Sequence, residues 1–586
     1  MSDENRSSLR AAWQLAKPYW SSDDKWRAWG LLTAVVALNI VSVLINVRFN
    51  FWFRDFFNSI QQLNYSAFKH QFLIFGGLAA VAIAILVYQV YLQQMLQIRW
   101  RRWLTRRFLD TWLDERAYYR LQLLNSGTDN PDQRISDDLD RFTGQTLGLV
   151  VGTNGFLNAG ITLVSFLGIL WTLSGAVMLP LGKFGEVEIP GYMVWFALIY
   201  AVGGTWLAFR IGRPLVQLNF AQQRFEADFR FSMMRLRENA ESVALYGGEK
   251  REHRFFIDRF HYVVNNFWSI MKRTKRLNWY TSSYNQFAIV FPYIVAAPRY
   301  FAKIITFGAL QQTADAFAQV QLSLSFIVNS YTAIAQWQSV VQRLGNFDAR
   351  ARSIAAEARA PQRISIERAG NGISITALNL ELPDGTVLQR DIHFEATPGE
   401  WLLITAPAGS GKSTLLRAMA GIWPFGSGVI RIGEGKTLFL SQRPYIPLGT
   451  LRGALLYPNE DENVSKECLA AVLTQVGLGG FARDCETPDN WAQRLSPGEQ
   501  QRLAFARILL SKPAFIFMDE ATSSIDEAGE AELYALLRKA PWKPTVISTG
   551  HRTSLSQFHD RVLPMKNLAR VTVGQLSMTR LGVEET

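Results

Sequence analysis

The chain has 586 residues, a formal net charge of +12 and only two cysteines. It is longer than a single domain, which usually has roughly 100–200 residues. Two isolated cysteines exclude a disulfide scaffold and a cysteine-rich zinc site. Long apolar runs occur only in the first half, and the second half has the composition of an ordinary α/β protein.

The positive charge lies beside the apolar runs, as at residues 99–102 and 272–276. A basic chain can bind nucleic acid, or it can expose basic loops on the cytoplasmic side of a membrane. Basic clusters that flank membrane-length segments favour the second interpretation. We therefore expect a multi-pass membrane protein with both termini in the cytoplasm and no nucleic-acid partner.

Residues 1–27 are predicted to form an N-terminal amphipathic helix. Apolar residues recur there at helical spacing, and they are Leu9, Ala12, Trp13, Ala16 and Trp20. A tryptophan-bearing amphipathic helix is typical of a membrane surface. Packing of the same face against the rest of the protein is the alternative.

Residues 28–342 are predicted to form an α-helical transmembrane bundle of about six spans, each long enough to cross a hydrocarbon core of about 30 Å. The spans are expected at 28–47, 72–95, 147–173, 192–211, 287–305 and 316–339. Long charged helical stretches at 99–141 and 213–276 should face the cytoplasm. The loop 180–190 should then face outward.

The predicted sixth span carries polar residues at helical spacing. They are Gln321, Ser325, Asn329, Thr332 and Gln336. At 3.6 residues per turn they share one face, and a polar face is costly against lipid. The stripe is predicted to line a hydrated substrate path, with polar helix–helix packing as the alternative. Arg299 in the fifth span is a further candidate for that path, unless it only reaches out of the membrane from a helix end.

Residues 343–364 are predicted to be a helical linker, and residues 365–586 an α/β domain. Short apolar runs predict buried strands at 402–405, 437–440, 515–518 and 546–548, and a helix follows the first of them at 413–420. Such alternation is typical of a parallel sheet.

A phosphate-binding loop is predicted between the first of these strands and that helix. Its residues are Ala406, Pro407, Ala408, Gly409, Ser410, Gly411, Lys412, Ser413 and Thr414. Backbone N–H groups at a helix N-terminus hold phosphates, Lys412 reaches the β- and γ-phosphates, and Ser413 holds Mg²⁺. The pattern has a glycine where this chain has Ala406. An alanine is tolerated only if its φ is negative and its methyl group has room.

Further candidate residues follow other predicted strands. Asp519 and Glu520 end an apolar strand, where Asp519 can hold Mg²⁺ and Glu520 can polarise the attacking water. Gln442 follows another strand and can reach both the metal and that water. His551 follows the last strand and is expected to contact the γ-phosphate.

A second phosphate site is predicted at the start of a later helix. Ser496 and Gly498 lie in the sequence LSPGEQQR at its N-terminus. Asp526, in the sequence SID, follows the strand that carries the two carboxylates.

In this order and spacing the second half resembles an ATP-binding cassette, with its Walker A, Q-loop, signature, Walker B, D-loop and H-loop elements. The resemblance implies ATP and Mg²⁺ as ligands, a membrane domain similar to type IV exporters, and ATP hydrolysis coupled to transport. In that family each ATP lies between the Walker A loop of one cassette and the signature of another. One of each per chain implies a half-transporter that works as a homodimer or paired with a second half-transporter.

Other sequences extend the resemblance over nearly the whole chain. NPDQRI at 130–135, ESVALYGGE at 241–249 and PYIPLGTLR at 444–452 are similar to subfamily D half-transporters. WFRDFFN at 52–58 and APRYF at 297–301 are similar to the SbmA/BacA group of bacterial peptide transporters.

These resemblances imply uptake of peptides or other bulky hydrophilic compounds across a bacterial inner membrane. Transport of acyl-CoA or fatty acids, export, a non-transporting membrane ATPase that senses or scaffolds, and a soluble cassette protein are the alternatives.

Overall fold

A computed structural model describes residues 3–124, 131–180, 186–360, 363–407, 409–459, 463–550 and 552–565. The chain forms two compact units. The helical unit contains Met1–Asp114 and Gly127–Ser353, and the α/β unit contains Glu115–Ser126 and Ile354–Thr586. Ala408 and His551 lie outside the described residues.

Helices dominate the first 360 residues. They are α1 (Asp3–Ala16), α2 (Lys25–Gln61), α3 (Tyr65–Leu113), α4 (Ala117–Leu123), α5 (Pro131–Gln133), α6 (Leu139–Val151), α7 (Phe156–Ser174), α8 (Tyr192–Glu238), α9 (Ala240–Leu245), α10 (Glu249–Phe301), α11 (Phe307–Leu324) and α12 (Phe326–Arg359). The predicted outward loop at 180–190 is partly a hairpin, in which β1 (Ala176–Pro180) pairs antiparallel with β2 (Glu186–Pro190).

Within the described ranges, four helical stretches are long and apolar enough to span a membrane. They are Lys25–Gln61, Tyr65–Leu123, Pro131–Ser174 and Tyr192–Glu238. The first four predicted spans fall inside these stretches, and the predicted fifth lies at the end of α10, which contains Pro292 and Pro298.

Two predicted spans differ from single regular helices. The third is broken between α6 and α7, where a Cβ at Gly152 would lie 2.5 Å from the carbonyl oxygen of Gly148. The sixth covers the end of α11 and the start of α12, which meet at Ser325. Helical hydrogen bonds continue through this junction, from the Ser325 N–H to the Gln321 carbonyl oxygen at 2.9 Å and from the Asn329 N–H to the Ser325 carbonyl oxygen at 3.0 Å.

The N-terminal helix has two different faces. Leu15 and, just beyond the helix, Tyr19 are buried in the helical unit, whereas Leu9 and Trp13 are exposed. One face of the helix therefore packs against the protein, and the other is available to a membrane surface.

The predicted linker 343–364 is largely a continuation of α12. Leu344, Phe347 and Ala351 are buried, and Phe347 stacks on Phe108 of α3. The first part of this segment therefore packs as an element of the helical unit, because its apolar residues repeat at helical spacing.

The α/β unit contains the remaining elements. Its strands are β3 (Ile364–Arg368), β4 (Ile373–Glu381), β5 (Val387–Ala396), β6 (Trp401–Thr405), β7 (Gly426–Ile432), β8 (Thr437–Leu440), β9 (Gly449–Thr450), β10 (Pro488–Asp489), β11 (Phe515–Asp519), β12 (Thr545–Thr549) and β13 (Arg561–Pro564). Its helices are α13 (Lys412–Met419), α14 (Leu451–Leu456), α15 (Lys466–Gln475), α16 (Trp491–Arg494), α17 (Pro497–Ser511) and α18 (Glu527–Arg538).

Among the described residues, a parallel sheet has the order β13-β6-β12-β11-β8. The four predicted strands lie in it, with ends that differ by at most one residue. Strands β6, β11 and β12 are almost fully buried, as expected for a sheet covered on both faces. A second sheet, β3-β7-β4-β5, has antiparallel pairs and was not predicted.

A short segment from between α3 and α5 belongs to the α/β unit. Leu123 of α4 packs against its apolar core, and the Arg116 guanidinium donates to the carbonyl oxygen of Ala420 at 3.2 Å. The α/β unit is thus built from two separate parts of the chain.

Candidate functional site

The predicted phosphate loop connects the buried strand β6 to α13. Gly409 and Gly411 have φ of +79° and +96°, a region that favours glycine. Ala406 is not among the described non-glycine residues with positive φ, and it packs against the apolar core of the unit. Both conditions for an alanine in place of the first glycine are therefore met.

The Lys412 side chain is folded back over this loop. Its ammonium group donates to the carbonyl oxygens of Ala406 at 2.7 Å and Pro407 at 3.4 Å. Burial lowers the pKa of Lys412, and the carboxylates of Glu520 and Asp519 act in the opposite direction. A cation at the N-terminus of α13, where a helix presents its backbone N–H groups, is suited to hold phosphate oxygens.

Asp519 ends β11 beside the start of α13. Its carboxylate accepts hydrogen bonds from the hydroxyls of Ser413 at 3.0 Å and Thr549 at 2.9 Å. A hydroxyl and a carboxylate at this separation are ligands that Mg²⁺ prefers. The residues present therefore fit a magnesium ion, with Ser413 and Asp519 as its holders.

Glu520 and Gln442 meet at the adjacent strand ends. The Gln442 amide donates to the Glu520 carboxylate at 3.3 Å. Glu520 has φ of +50°, so the chain turns sharply at the end of β11. The predicted general base and its neighbour are thus brought together, and a carboxylate in this position can orient and deprotonate a water molecule.

The predicted signature forms the N-terminus of α17. Ser496 is the N-cap, its hydroxyl accepts from the Glu499 N–H, and the Glu499 carboxylate accepts from the Ser496 N–H at 2.9 Å. A Cβ at Gly498 would lie 3.0 Å from the carbonyl oxygen of Ser524. Ser496 itself is exposed, so this helix end can receive a phosphate from outside the unit.

Asp526 is the N-cap residue of α18. Its side chain is 73% exposed, and its carboxylate lies 3.9 Å from the guanidinium group of Arg502. Among the described residues, Asp526 makes no hydrogen bond or ion pair with the phosphate loop of its own chain.

Gln501 is a site residue that sequence reasoning missed. Its buried amide donates to the carbonyl oxygen of Gln442 at 2.9 Å and to the Ser523 hydroxyl at 3.1 Å. Its oxygen accepts from the Ser524 N–H at 2.8 Å. Gln501 therefore connects α17 with the segments that carry Gln442 and Asp526. One sign of this role was present in the sequence. Gln501 lies three residues after Gly498 and four before the buried Phe505, so the three share one face of the helix.

Family comparisons agree with this geometry. The family model described as ABC transporter transmembrane region 2 matches residues 15–301, and the ABC transporter model matches residues 389–523. An uncharacterised ABC transporter ATP-binding protein of Haemophilus influenzae is 36% identical over 95% of this chain and 92% of its own. The chain belongs to the ABC transporter family.

Two further similarities concern the whole length of this ABC transporter. The chloroplastic ABC transporter D family member 2 of Arabidopsis thaliana is 34% identical over 96% of this chain and 87% of its own. A bacterial Atm1-family ABC exporter solved with ATP bound has a TM-score of 0.71 at 16% identity, with 96% of this chain and 98% of that chain covered. The fold is thus a helical membrane domain followed by a cassette.

Family membership establishes the general chemistry. The cassette hydrolyses ATP with Mg²⁺, and hydrolysis is coupled to transport. The sequence predictions assign the parts of this reaction to Lys412, Ser413, Asp519, Glu520 and Gln442, and those assignments remain predictions.

The structure divides the predicted polar stripe of the ABC transporter into two parts. Gln321 and Ser325 are buried, with the Gln321 amide donating to the Ser325 hydroxyl at 3.2 Å and that hydroxyl 2.9 Å from the Tyr284 hydroxyl. Asn329, Thr332 and Gln336 are exposed on α12. The first two residues join helices, which was the alternative interpretation, and only the last three present a polar face.

Arg299 has a structural contact that its sequence position did not indicate. Its guanidinium donates to the carbonyl oxygens of Leu173, at 3.1 Å, and Ser174. These carbonyls end α7, where they have no partners in their own helix, and a cation there is favourable. Arg299 therefore stabilises a helix end, and these contacts do not depend on substrate.

Proposed function

We propose that two copies of this chain form a homodimer that moves peptides or other bulky hydrophilic compounds across a bacterial inner membrane, inward, by hydrolysing ATP. The observation that carries the cargo class is the exposed polar face of Asn329, Thr332 and Gln336 on α12. Polar side chains are costly against lipid, so this face should border water, substrate or the partner copy.

The homodimer is supported by the arrangement of the cassette. One chain has one phosphate loop and one signature. Ser496 and Pro497 at the tip of the signature helix are exposed, as is the side chain of Asp526. These groups are free to contact nucleotide held by Lys412 and Ser413 of a second copy.

The names of two relatives agree with the cargo class and the location. The mouse lysosomal cobalamin transporter ABCD4 is 28% identical over 87% of this chain, and cobalamin is a bulky compound with many polar groups. The Escherichia coli inner membrane ABC transporter ATP-binding protein YddA is 31% identical over 94% of this chain. We propose a bulky hydrophilic cargo and an inner-membrane location for this chain as well, with its cassette and both termini in the cytoplasm.

Reconstituted transport tests the proposal. Liposomes with outward-facing cassettes are loaded with a labelled peptide, and ATP–Mg²⁺ is added outside. Inward transport in the cell corresponds to release from the lumen. We expect ATP-dependent release that is lost in Lys412→Ala and kept in Lys436→Ala, which removes an exposed lysine of the same unit.

The alternatives correspond to other results of the same assay. Uptake of peptide into the lumen would show export, and transport of labelled acyl-CoA without peptide would show a lipid-type cargo. ATP hydrolysis without movement of either compound would indicate a sensor or scaffold. Transport unaffected by Lys412→Ala would contradict ATP-driven transport.

A further inference from the structure

A large groove lies on the helical unit, away from the nucleotide site. Its walls come from the start of α2, the C-terminal half of α3 and residues 132–136. The cavity volume is about 1170 Å³, somewhat above the roughly 300–1,000 Å³ of common small-molecule sites. No motif that identified the nucleotide site contributes to it.

Charges of both signs line this groove. They are Arg27, Arg99, Arg101, Arg102 and Arg106, with Asp23, Asp24, Asp110 and Asp132. Arg99 pairs with Asp24 at 3.2 Å, and Arg101 pairs with Asp140 at 3.1 Å. These pairs are satisfied within the protein and hold the walls of the groove.

The other charges of the groove have no such partners. In the part of the chain that the structure describes, no carboxylate lies within 4.0 Å of the guanidinium groups of Arg27, Arg102 or Arg106. Among the described residues, no basic nitrogen lies within that distance of the carboxylates of Asp23, Asp110 or Asp132. Three cations and three anions are thus exposed in one cavity without neutralising one another.

The surroundings of the groove are those of a membrane surface. Trp26 is 81% exposed and Trp29 is 50% exposed at the start of α2, immediately before its apolar run. Exposed tryptophans at this position are typical of the headgroup region. Ile98 and Leu109 add exposed apolar surface to the groove wall.

We propose that this groove binds a phosphoethanolamine lipid headgroup. Arg27, Arg102 and Arg106 are the groove's donors for the lipid phosphate, and Asp23, Asp110 and Asp132 are its acceptors for the primary ammonium. Charge-assisted hydrogen bonds of both kinds are stronger than neutral ones. Basic pockets between membrane helices bind the phosphates of lipid headgroups, and the aspartates of this groove add acceptors for an ammonium group. A choline headgroup has no N–H to donate, and a glycerol headgroup has no cation for the aspartates.

Lipid competition on the purified full-length transporter tests this assignment. Short-chain phosphatidylethanolamine, phosphatidylcholine and phosphatidylglycerol are titrated in detergent, with bound lipid counted by native mass spectrometry. We expect phosphatidylethanolamine to bind at least about 10-fold more tightly than either of the others. Arg102→Gln/Arg106→Gln should lose this binding, and Arg235→Gln/Arg237→Gln, which removes the same charge from the exposed end of α8, should retain it.

A second variant separates the two halves of the site. In Asp23→Asn/Asp110→Asn the preference for phosphatidylethanolamine over phosphatidylglycerol should disappear while lipid binding remains. Tighter binding of phosphatidylglycerol to the wild type, or full retention of phosphatidylethanolamine by the double arginine variant, would overturn the proposal. Equal displacement by inorganic phosphate would show a free-phosphate site instead and would also overturn it.

Discussion

The two units of this transporter place functional residues in different ways. In the cassette, the chemistry-bearing side chains follow strand ends or begin helices, and contacts of about 3 Å join Ser413 to Asp519 and Gln442 to Glu520. In the helical unit, five polar residues at one helical spacing divide into a buried pair and an exposed set of three. Motifs at the ends of strands and helices therefore predict which side chains come together better than the spacing of residues along one long helix does.

The largest expected effect tests the cassette side of this comparison. Glu520→Gln removes the carboxylate that faces Gln442, and we expect ATP turnover to fall by roughly 10²–10⁴-fold because a general base contributes about that much. ATP binding should be kept, because Lys412 and Ser413 are unchanged. Hydrolysis and nucleotide binding are measured on the reconstituted protein.

The matched control is Glu527→Gln, which changes an exposed glutamate at the start of α18. Its turnover should stay near wild type. Near-normal hydrolysis in Glu520→Gln would remove Glu520 from its assigned role.

A buried ion pair tests the helical unit. Asp138 is 1% exposed, and its carboxylate accepts from Arg343 at 2.7 Å and from Arg134 at 2.8 Å. Arg343→Met leaves this carboxylate with one partner, and we expect a loss of about 3 kcal/mol in unfolding free energy, the low end for a broken buried pair. Thermal unfolding in detergent measures it.

Arg352→Met is the comparison for that variant. It breaks a pair with Asp348 at 2.9 Å whose arginine is 53% exposed, so the loss should be below about 1 kcal/mol. Equal losses in the two variants would contradict a special role for burial of Asp138.

The third prediction concerns the residue that links the cassette segments. Gln501→Leu removes part-buried hydrogen bonds with the Gln442 carbonyl oxygen and the Ser524 N–H, and we expect about 1 kcal/mol lower stability, since a typical hydrogen bond contributes roughly 0.5–1.5 kcal/mol. Turnover should also fall because Gln442 is no longer held. Gln475→Leu, on the exposed end of α15, should change neither quantity, and an active, stable Gln501→Leu would show that the link is dispensable.

Substitutions in the two parts of the polar stripe should have smaller effects, and these effects should differ between the buried and the exposed part. Gln321→Leu breaks a buried hydrogen bond to Ser325 and should cost about 0.6–1 kcal/mol of stability. Gln336→Leu, on the exposed face, should leave stability within about 0.5 kcal/mol and change transport of hydrophilic cargo. If both variants altered only stability, the exposed face would have no part in the substrate path.

The smallest effect is a pH dependence in the cassette. His559 is buried between the Ser548 hydroxyl and the Leu555 carbonyl oxygen, at 2.8 and 2.7 Å. Burial lowers the pKa of His559 below its ordinary value. The unfolded chain therefore takes up the proton first, and stability falls as the pH falls through the ordinary histidine range, by at most about 1.4 kcal/mol per pH unit.

Thermal unfolding at pH 7.5 and pH 5.5 measures this dependence. His559→Gln can keep a hydrogen bond to Ser548 but cannot take up the proton, so its stability should change less over the same range. An identical change in wild type and variant would assign the dependence to other groups.

The sequence by itself determined the two-part architecture and the order of the cassette motifs, and it predicted which residues hold the nucleotide. It did so because these properties depend on neighbours in the chain. A run of apolar residues long enough to cross a membrane is visible as such, and a glycine-rich loop between a buried strand and a helix has few possible geometries. The tolerance of Ala406 could be stated in advance as two conditions on φ and space.

Only the tertiary structure decided the features that depend on distant parts of the chain. The burial of Ser325 against Tyr284, the contact of Arg299 with the end of α7 and the hydrogen bond from Gln501 to the Gln442 carbonyl oxygen all involve residues far apart in sequence. The sheet β3-β7-β4-β5 and the charged groove around Arg102 also bring together separate parts of the chain. Helical spacing defines which residues share a face, whereas the elements that cover that face are set by packing across the whole chain.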